Sequence, residues 1–204
     1  MDWLSHPTFE FRPELDVQGR YLLVVPKDLI MQWRTELRTR VNSDLKIVIY
    51  HPGPEEGHSI NRSPSELAKA DVVITTYETL RSDFEEMSQS EESFTRSHGK
   101  QWLGHHPLLI VYWLGVFFDE GHKLFNANTG MSQAAQALRS LFKIPITGTP
   151  LQNEYLECNT IMSLLQIEPF CSDSSAFRKA GRHDSNERIH VTDIRVVLSA
   201  ATGS

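Results

Sequence analysis

Phe117-Phe118-Asp119-Glu120-Gly121-His122 ends an apolar run on two adjacent carboxylates, and one helix-sized segment later Ile146-Thr147-Gly148-Thr149-Pro150-Leu151-Gln152-Asn153 ends a second. A short, unbroken apolar run bounded by breakers suits a strand buried on both faces, as the strands of a parallel sheet are. Each polar cluster then falls at the carboxyl end of its strand. The intervening residues return the chain to the start of the next strand as a helical crossover.

On either side of this pair the same rhythm recurs. Tyr21 to Val25 is a compact apolar run stopped by Pro26. Asp28 is placed to cap a following helix, with Leu29, Ile30, Trp33 and Leu37 near one face. Leu45 to Tyr50 reads as a second strand, ended by His51-Pro52-Gly53-Pro54. Ser63-Pro64-Ser65-Glu66 opens a short helix through Ala70, Val72 to Thr75 is a third strand, and Glu78 to Met87 a helix. Gly115 to Asp119 and Ile144 to Thr147 are the fourth and fifth strands. The Ala/Leu-rich stretch Ser132 to Leu141 lies between them as a helix, and another spans about Glu154 to Leu165. Five strands with helical crossovers predict an α/β fold built on a doubly wound parallel sheet. Ligands of such sheets bind at the strands' carboxyl ends, where Lys27, Thr75, Asp119 and Thr147 all fall.

At 204 residues the chain suits one domain. With a net charge of −6 there is no global basic footprint, so any nucleic-acid contact is local. Its two cysteines, Cys158 and Cys171, make neither a disulfide framework nor a metal spacing, which predicts a reducing, intracellular setting. Pro107 to Phe118, the longest apolar stretch, falls short of the roughly 20 residues a membrane span needs, and reads as a buried strand. The amino terminus carries no secretory pattern. Asp83 to Glu92, with five acids, and His98 to Pro107 read as solvated surface insertions. His98, His105 and His106 have no carboxylate or cysteine at ligand spacing, which argues against a metal there. Residues 1–19 read as an irregular segment and 171–204 as a weakly ordered tail.

Adjacent residues leaving a strand point in different directions, so Asp119 and Glu120 can serve separate tasks. One carboxylate at a strand end suits holding a hydrated magnesium ion, and its neighbour suits orienting a water as general base. Gly121 removes a side chain where the backbone turns close to that site. His122 can reach across to another strand end by hydrogen bonding.

In this chemistry and order, Phe117 to His122 resembles the Walker B box of the Swi/Snf-type helicase-like ATPases. Thr147-Gly148-Thr149-Pro150-Leu151-Gln152-Asn153 resembles their motif III. Leu23-Val24-Val25-Pro26 with Gln32-Trp33 is similar to motif Ia, and Asp71-Val72-Val73-Ile74-Thr75-Thr76-Tyr77 to motif Ib. Leu164-Leu165-Gln166-Ile167-Glu168-Pro169-Phe170 resembles the segment after motif III. The resemblance covers about Leu22 to Phe170. It implies a RecA-like helicase lobe one over residues 20–170, in a nuclear ATPase that acts on double-stranded DNA or chromatin.

Residue by residue, the resemblance implies ATP and magnesium as cofactors. Asp119 and Glu120 would bind them, Asp119 holding the metal through water. Glu120, Asp119 and His122 would be catalytic, and Thr147, Gly148, Thr149 and Gln152 would couple the site to DNA. Lys27, Thr75 and Thr76 would hold a DNA strand by its phosphates, contacts that position without reading sequence. Trp33 reads as a core anchor of its helix and Tyr77 as a packing residue. The motif III form and the following segment favour the repair-linked subgroup.

The family's phosphate-binding loop, Gly-x-x-x-x-Gly-Lys-[Ser/Thr], has no counterpart before Pro26. Gly19 is followed by Arg20, and the Gly99-Lys100 pair continues into Gln101. The resemblance thus implies a lobe incomplete at its N-terminal side, its absent strand belonging beside the motif III strand. ATP turnover is then expected only with that loop and a second lobe, or other protein subunits, as partners. The alternative is a binding or interaction module that keeps the nucleic-acid face without using ATP.

Overall fold

The computed structural model describes residues 18–53, 62–94, 106–148 and 160–165. Its centre is a parallel sheet of β1 (Gln18–Val25), β2 (Ile47–Ile49), β3 (Val72–Thr76), β4 (Tyr112–Asp119) and β5 (Ser140–Ile146) in the order β2-β3-β1-β4-β5. Two faces of one strand feed two cores, as the period-2 alternation of a strand requires. Leu22 and Val24 of β1 point to one side with Val116 and Phe118 of β4, and against them pack Leu67, Leu80, Leu108 and Ala134. Leu23 and Val25 point to the other, where Ile30, Ile49, Val72 and Ile74 join them and Trp33, Leu37 and Phe117 close the edge. Helix α1 (Ile30–Glu36) covers that second side, while α2 (Pro64–Ala68), α3 (Tyr77–Phe94), α4 (Pro107–Ile110) and α5 (Gly130–Ala137) lie on the first. The sheet is doubly wound, as the sequence rhythm requires.

Local chemistry accounts for the starts of α2 and α5. Ser63 accepts from the Glu66 backbone N–H while the Glu66 carboxylate accepts from the Ser63 N–H, a reciprocal cap, and Pro64 occupies the first turn of α2. Thr129 caps α5 through the Ser132 N–H. Asp28 does not cap α1: it lies inside a 3₁₀ turn, Lys27–Leu29, and α1 begins behind Leu29 without a side-chain cap.

At four further points the structure departs from the sequence expectation. The helix placed over Ser132 to Leu141 stops at Ala137, and Ser140 already pairs with Trp113 in the sheet. A parallel partner offering a ladder of hydrogen bonds outweighs the helix propensity of a few Leu and Ala residues. Pro107 to Phe118 is not one strand, since Pro107–Ile110 forms a buried helical turn before β4. The acidic stretch from Asp83 continues α3, and Asp83 itself is only 8% exposed. The first strand starts at Gln18 inside the segment read as irregular. Ranges 1–17, 95–105 and 171–204 lie outside the described residues, as do His98, His105, Thr149, Gln152 and both cysteines.

Candidate functional site

Because every strand runs the same way, all five carboxyl ends share one margin. Val25 sits opposite Thr76, Val24 opposite Phe118, and Asp119 opposite Ile146. Lys27, Thr76, Asp119 and Thr147 therefore leave the sheet side by side, and Lys27 is exposed.

The turn after β4 is the chemically distinctive part of that margin. Glu120 adopts φ 53° and ψ 45°, the left-handed conformation, the one non-glycine among the described residues to do so. For an L-residue this costs on the order of 1–2 kcal/mol, so the surrounding structure must hold it there. The chain then enters a 3₁₀ turn, Gly121–Leu124. Gly121 is pressed against β5: a Cβ there would lie 2.6 Å from Pro145 Cβ and 3.0 Å from Pro145 Cα. The reversal brings His122 Nδ1 to 3.2 Å from Glu120 Oε2 and 3.4 Å from Thr147 Oγ1. One imidazole nitrogen thus faces a carboxylate at the end of β4 and a hydroxyl at the end of β5. Both Glu120 and His122 keep side-chain exposures near 40%, at 43% and 38%, which leaves them open to water.

Asp119 is held at three points. Trp33 Nε1 of α1 donates to Oδ2 at 2.7 Å, the Glu120 N–H donates to Oδ1 at 3.1 Å, and the Tyr77 hydroxyl of α3 donates to the Asp119 carbonyl at 2.7 Å. Burial, then the charges of Asp119 and Glu120, push the Tyr77 phenol above its ordinary pKa, so it stays a donor. Trp33 and Tyr77 do pack, Trp33 against the β1/β3 core and Tyr77 against Phe118 at 6.5 Å between ring centroids. Their role as packing residues was incomplete. The signal that identifies the rest is general: a buried indole N–H or phenol O–H needs an acceptor, and the nearest strand end carries one.

The turn after β3 behaves differently. Thr75 and Thr76 are completely buried. Thr75 Oγ1 donates to the Tyr50 carbonyl at 2.7 Å. Thr76 Oγ1 lies 3.0 Å from Thr79 Oγ1 and 3.4 Å from His51 Nδ1, and accepts from the Thr79 N–H at 3.2 Å. His51, which the sequence marks only as part of a breaker, thereby joins the ends of β2 and β3. The expectation that these two threonine hydroxyls face nucleic acid does not hold in this structure, because both are turned inward and engaged.

Asp119 and Glu120 suit magnesium on chemical grounds. Among the described residues no group of three or more His, Cys, Asp or Glu side chains assembles, so no protein cage for a cation exists there. Magnesium asks for none: it keeps several waters and takes its other ligands from one or two carboxylates and from substrate phosphates. A carboxylate has about four lone-pair positions, and Asp119 has spent two, which leaves room to accept from metal-bound water. Among the described residues no helix is long and apolar enough to cross a membrane.

Comparison with known proteins agrees with this fold. The SWI2/SNF2 ATPase core of Sulfolobus solfataricus, solved in complex with double-stranded DNA, superposes with a TM-score of 0.61 at 21% identity, covering 92% of this chain and 34% of that one. In sequence, a putative SWI/SNF-related matrix-associated actin-dependent regulator of chromatin (subfamily A member 3-like 1) of Arabidopsis thaliana is 34% identical over 154 residues, 75% of this chain. The DNA repair protein RAD5A of the same plant is 29% identical over 153 residues, 74% of this chain. The aligned stretch amounts to 15% and 13% of the length of those two relatives. The SNF2-related domain matches residues 9–199. A parallel sheet with its carboxylates at one margin, and a match spanning nearly the whole chain, make this protein a member of the SNF2-related domain family.

Proposed function

We propose that this chain supplies the metal-holding and water-activating side of a DNA-dependent ATPase of chromatin remodelling or DNA repair, working in the nucleus on duplex DNA. The observation that carries the reading is the strained turn at Glu120, which sets two carboxylates, a histidine and the Thr147 hydroxyl at one sheet margin. Strain of this kind persists where the surrounding structure over-determines it, and it clusters at functional sites. When bound, magnesium with ATP supplies an electrophilic phosphorus and neutralises charge that develops on the phosphate oxygens. In this chain Asp119 presents its remaining lone pairs to metal-bound water. Glu120 accepts a proton from, or orients, the attacking water. His122 holds Glu120 and links it to Thr147, the first residue of the segment resembling motif III, which also includes Gly148, Thr149 and Gln152. Lys27, exposed at the same margin, would meet a DNA phosphate in this reading. No Gly-x-x-x-x-Gly-Lys-Ser/Thr stretch occurs in the 204 residues, so in this reading the phosphate grip is supplied from outside them.

The test is a chimera carrying residues 20–170 in place of the aligned stretch of a DNA-stimulated SNF2-type ATPase. It should hydrolyse ATP in response to duplex DNA and lose at least about 100-fold in turnover with Glu120→Gln. The 204-residue chain alone should show no turnover. A chimera no more active than its Glu120→Gln form, yet binding duplex DNA with steep salt dependence, would favour the binding-module reading instead.

A further inference from the structure

Asp119 receives a hydrogen bond from each of two elements that have no sequence relation to it. Trp33 lies 86 residues away on α1 and Tyr77 lies 42 residues away at the start of α3. Both contacts are 2.7 Å, which is short for the indole N–H and ordinary for the phenol O–H, and the Trp33 bond is charge-assisted. Indole nitrogen is a donor only, so the bond has one sense and requires the carboxylate as acceptor. The partner bond, Glu120 N–H to Oδ1, fills a position on the other oxygen. With a donor on each oxygen, the carboxylate plane has little freedom to turn. Tyr77 fixes the backbone from which that side chain hangs, and its ring is stacked on the preceding Phe118.

We infer that Trp33, assisted by Tyr77, is a positioning residue for Asp119. By its indole N–H it fixes the plane of that carboxylate, so that the free lone pairs face the open margin and accept from cation-bound water. Trp33 touches no reacting atom in this scheme. Since α1 begins three residues after the exposed Lys27, a ligand that moves this helix also moves the donor on Asp119. The inference rests on the reading of Asp119 as a magnesium-holding group only for its consequence in catalysis. The hydrogen bond itself is testable without that reading.

The chain has four tryptophans, and Trp113 provides an internal control because its indole donates to the Leu108 carbonyl at 2.9 Å, inside the protein. In a ¹H–¹⁵N correlation spectrum of the whole chain, Trp33→Phe identifies the Trp33 indole signal, and the remaining dispersion reports that the variant is folded. The Trp33 indole proton should lie downfield of the Trp113 one. Asp119→Ala should move it upfield by several tenths of a part per million, with the Trp113 signal in place. An unmoved Trp33 signal in folded Asp119→Ala overturns the inference. In the chimera, Trp33→Phe should raise the magnesium concentration for half-maximal turnover about 10-fold, the usual size of an outer-shell loss, with a smaller change in kcat. Tyr77→Phe should change it in the same direction and by less. A Trp33→Phe chimera with the unaltered magnesium requirement refutes the positioning role even where the indole bond is seen. A chimera inactive before any substitution, beside an intact indole shift, refutes the ATPase reading and leaves the bond standing.

Discussion

The turns after β3 and β4 leave the same sheet margin on either side of β1, yet they solve opposite problems. After β3 the backbone enters α3 without strain, and the polar side chains are spent internally: Thr75 on the Tyr50 carbonyl, Thr76 on Thr79 and His51. After β4 a glutamate is forced into the left-handed region, and its carboxylate and the His122 imidazole stay open to solvent. The first turn has the chemistry of a joint, the second that of a site. Hydroxyls at a strand end are thus no guide to ligand contact until their partners are known. Tyr77 connects the two turns, from the first residue of α3 to the Asp119 carbonyl.

If the β3 side is structural, its failures should show as stability. The largest effect should come from Asp83 on α3. Burial pushes its carboxyl up to about 7, a hydrogen bond from Tyr50 opposes this, and the nearby Glu86 charge adds to it. A raised acid favours the native state fully below its unfolded value of 3.8 and loses that contribution as pH rises through about 7. Stability should therefore fall between about pH 4 and about pH 7, by on the order of 2–4 kcal/mol from this group alone. Urea unfolding of the parent and Asp83→Asn at about pH 5 and about pH 8 measures it. The parent should weaken between the two, and the variant should lose most of that slope. Equal slopes would mean that Asp83 ionises freely, as a solvated acidic face would.

That acidic face is where the sequence misleads most, and the reason is physical. Periodicity reads a pattern of residue types, and five acids in ten residues look solvated whether or not one of them turns inward beneath Tyr50. The same limit applies at Thr75 and Thr76, whose β propensity announces the strand and says nothing of the partners across β2. β1 and β3 were legible because strands buried on both faces must be continuously apolar, leaving little else for Tyr21 to Val25 or Val72 to Thr75 to be. β5, which exposes Leu141, Ile144 and Ile146 and starts at Ser140, was legible only at its carboxyl end. The end of α5 was not, because Leu138 to Leu141 suits a helix until Trp113 offers a ladder to join. At the site, Asp119, Glu120 and His122 were legible from carboxylates that end an apolar run and from the likeness of Phe117 to His122 to a Walker B box. Trp33 and Tyr77 were not, since a hydrogen bond spanning 86 residues leaves no local pattern.

Next in size is Thr76→Val, which keeps the shape and removes the hydroxyl. The Thr79 N–H then loses its acceptor in a buried turn. An unsatisfied buried donor costs about 1–3 kcal/mol, and the midpoint of urea unfolding should drop accordingly without a change of slope. In the chimera, the same substitution should leave the response to Glu120→Gln as large as before. A Thr76→Val protein as stable as the parent, with weakened duplex binding, would turn the comparison around and restore the hydroxyl to the DNA face.

The smallest effect tests whether the β4 turn is strained at all. Glu120→Ala removes the carboxylate and its contact with His122 but keeps a Cβ in the left-handed conformation. Glu120→Gly removes both. Glycine reaches that conformation without steric cost, against a greater entropy loss on folding, so relief of about 1–2 kcal/mol is partly offset by about 0.5–1 kcal/mol. Glu120→Gly should therefore be more stable than Glu120→Ala by about 0.5–1 kcal/mol, read from paired urea titrations, while both abolish turnover in the chimera. Two variants of equal stability would mean that the carboxylate site rests on unstrained backbone, and the contrast with the β3 turn would reduce to solvent exposure alone.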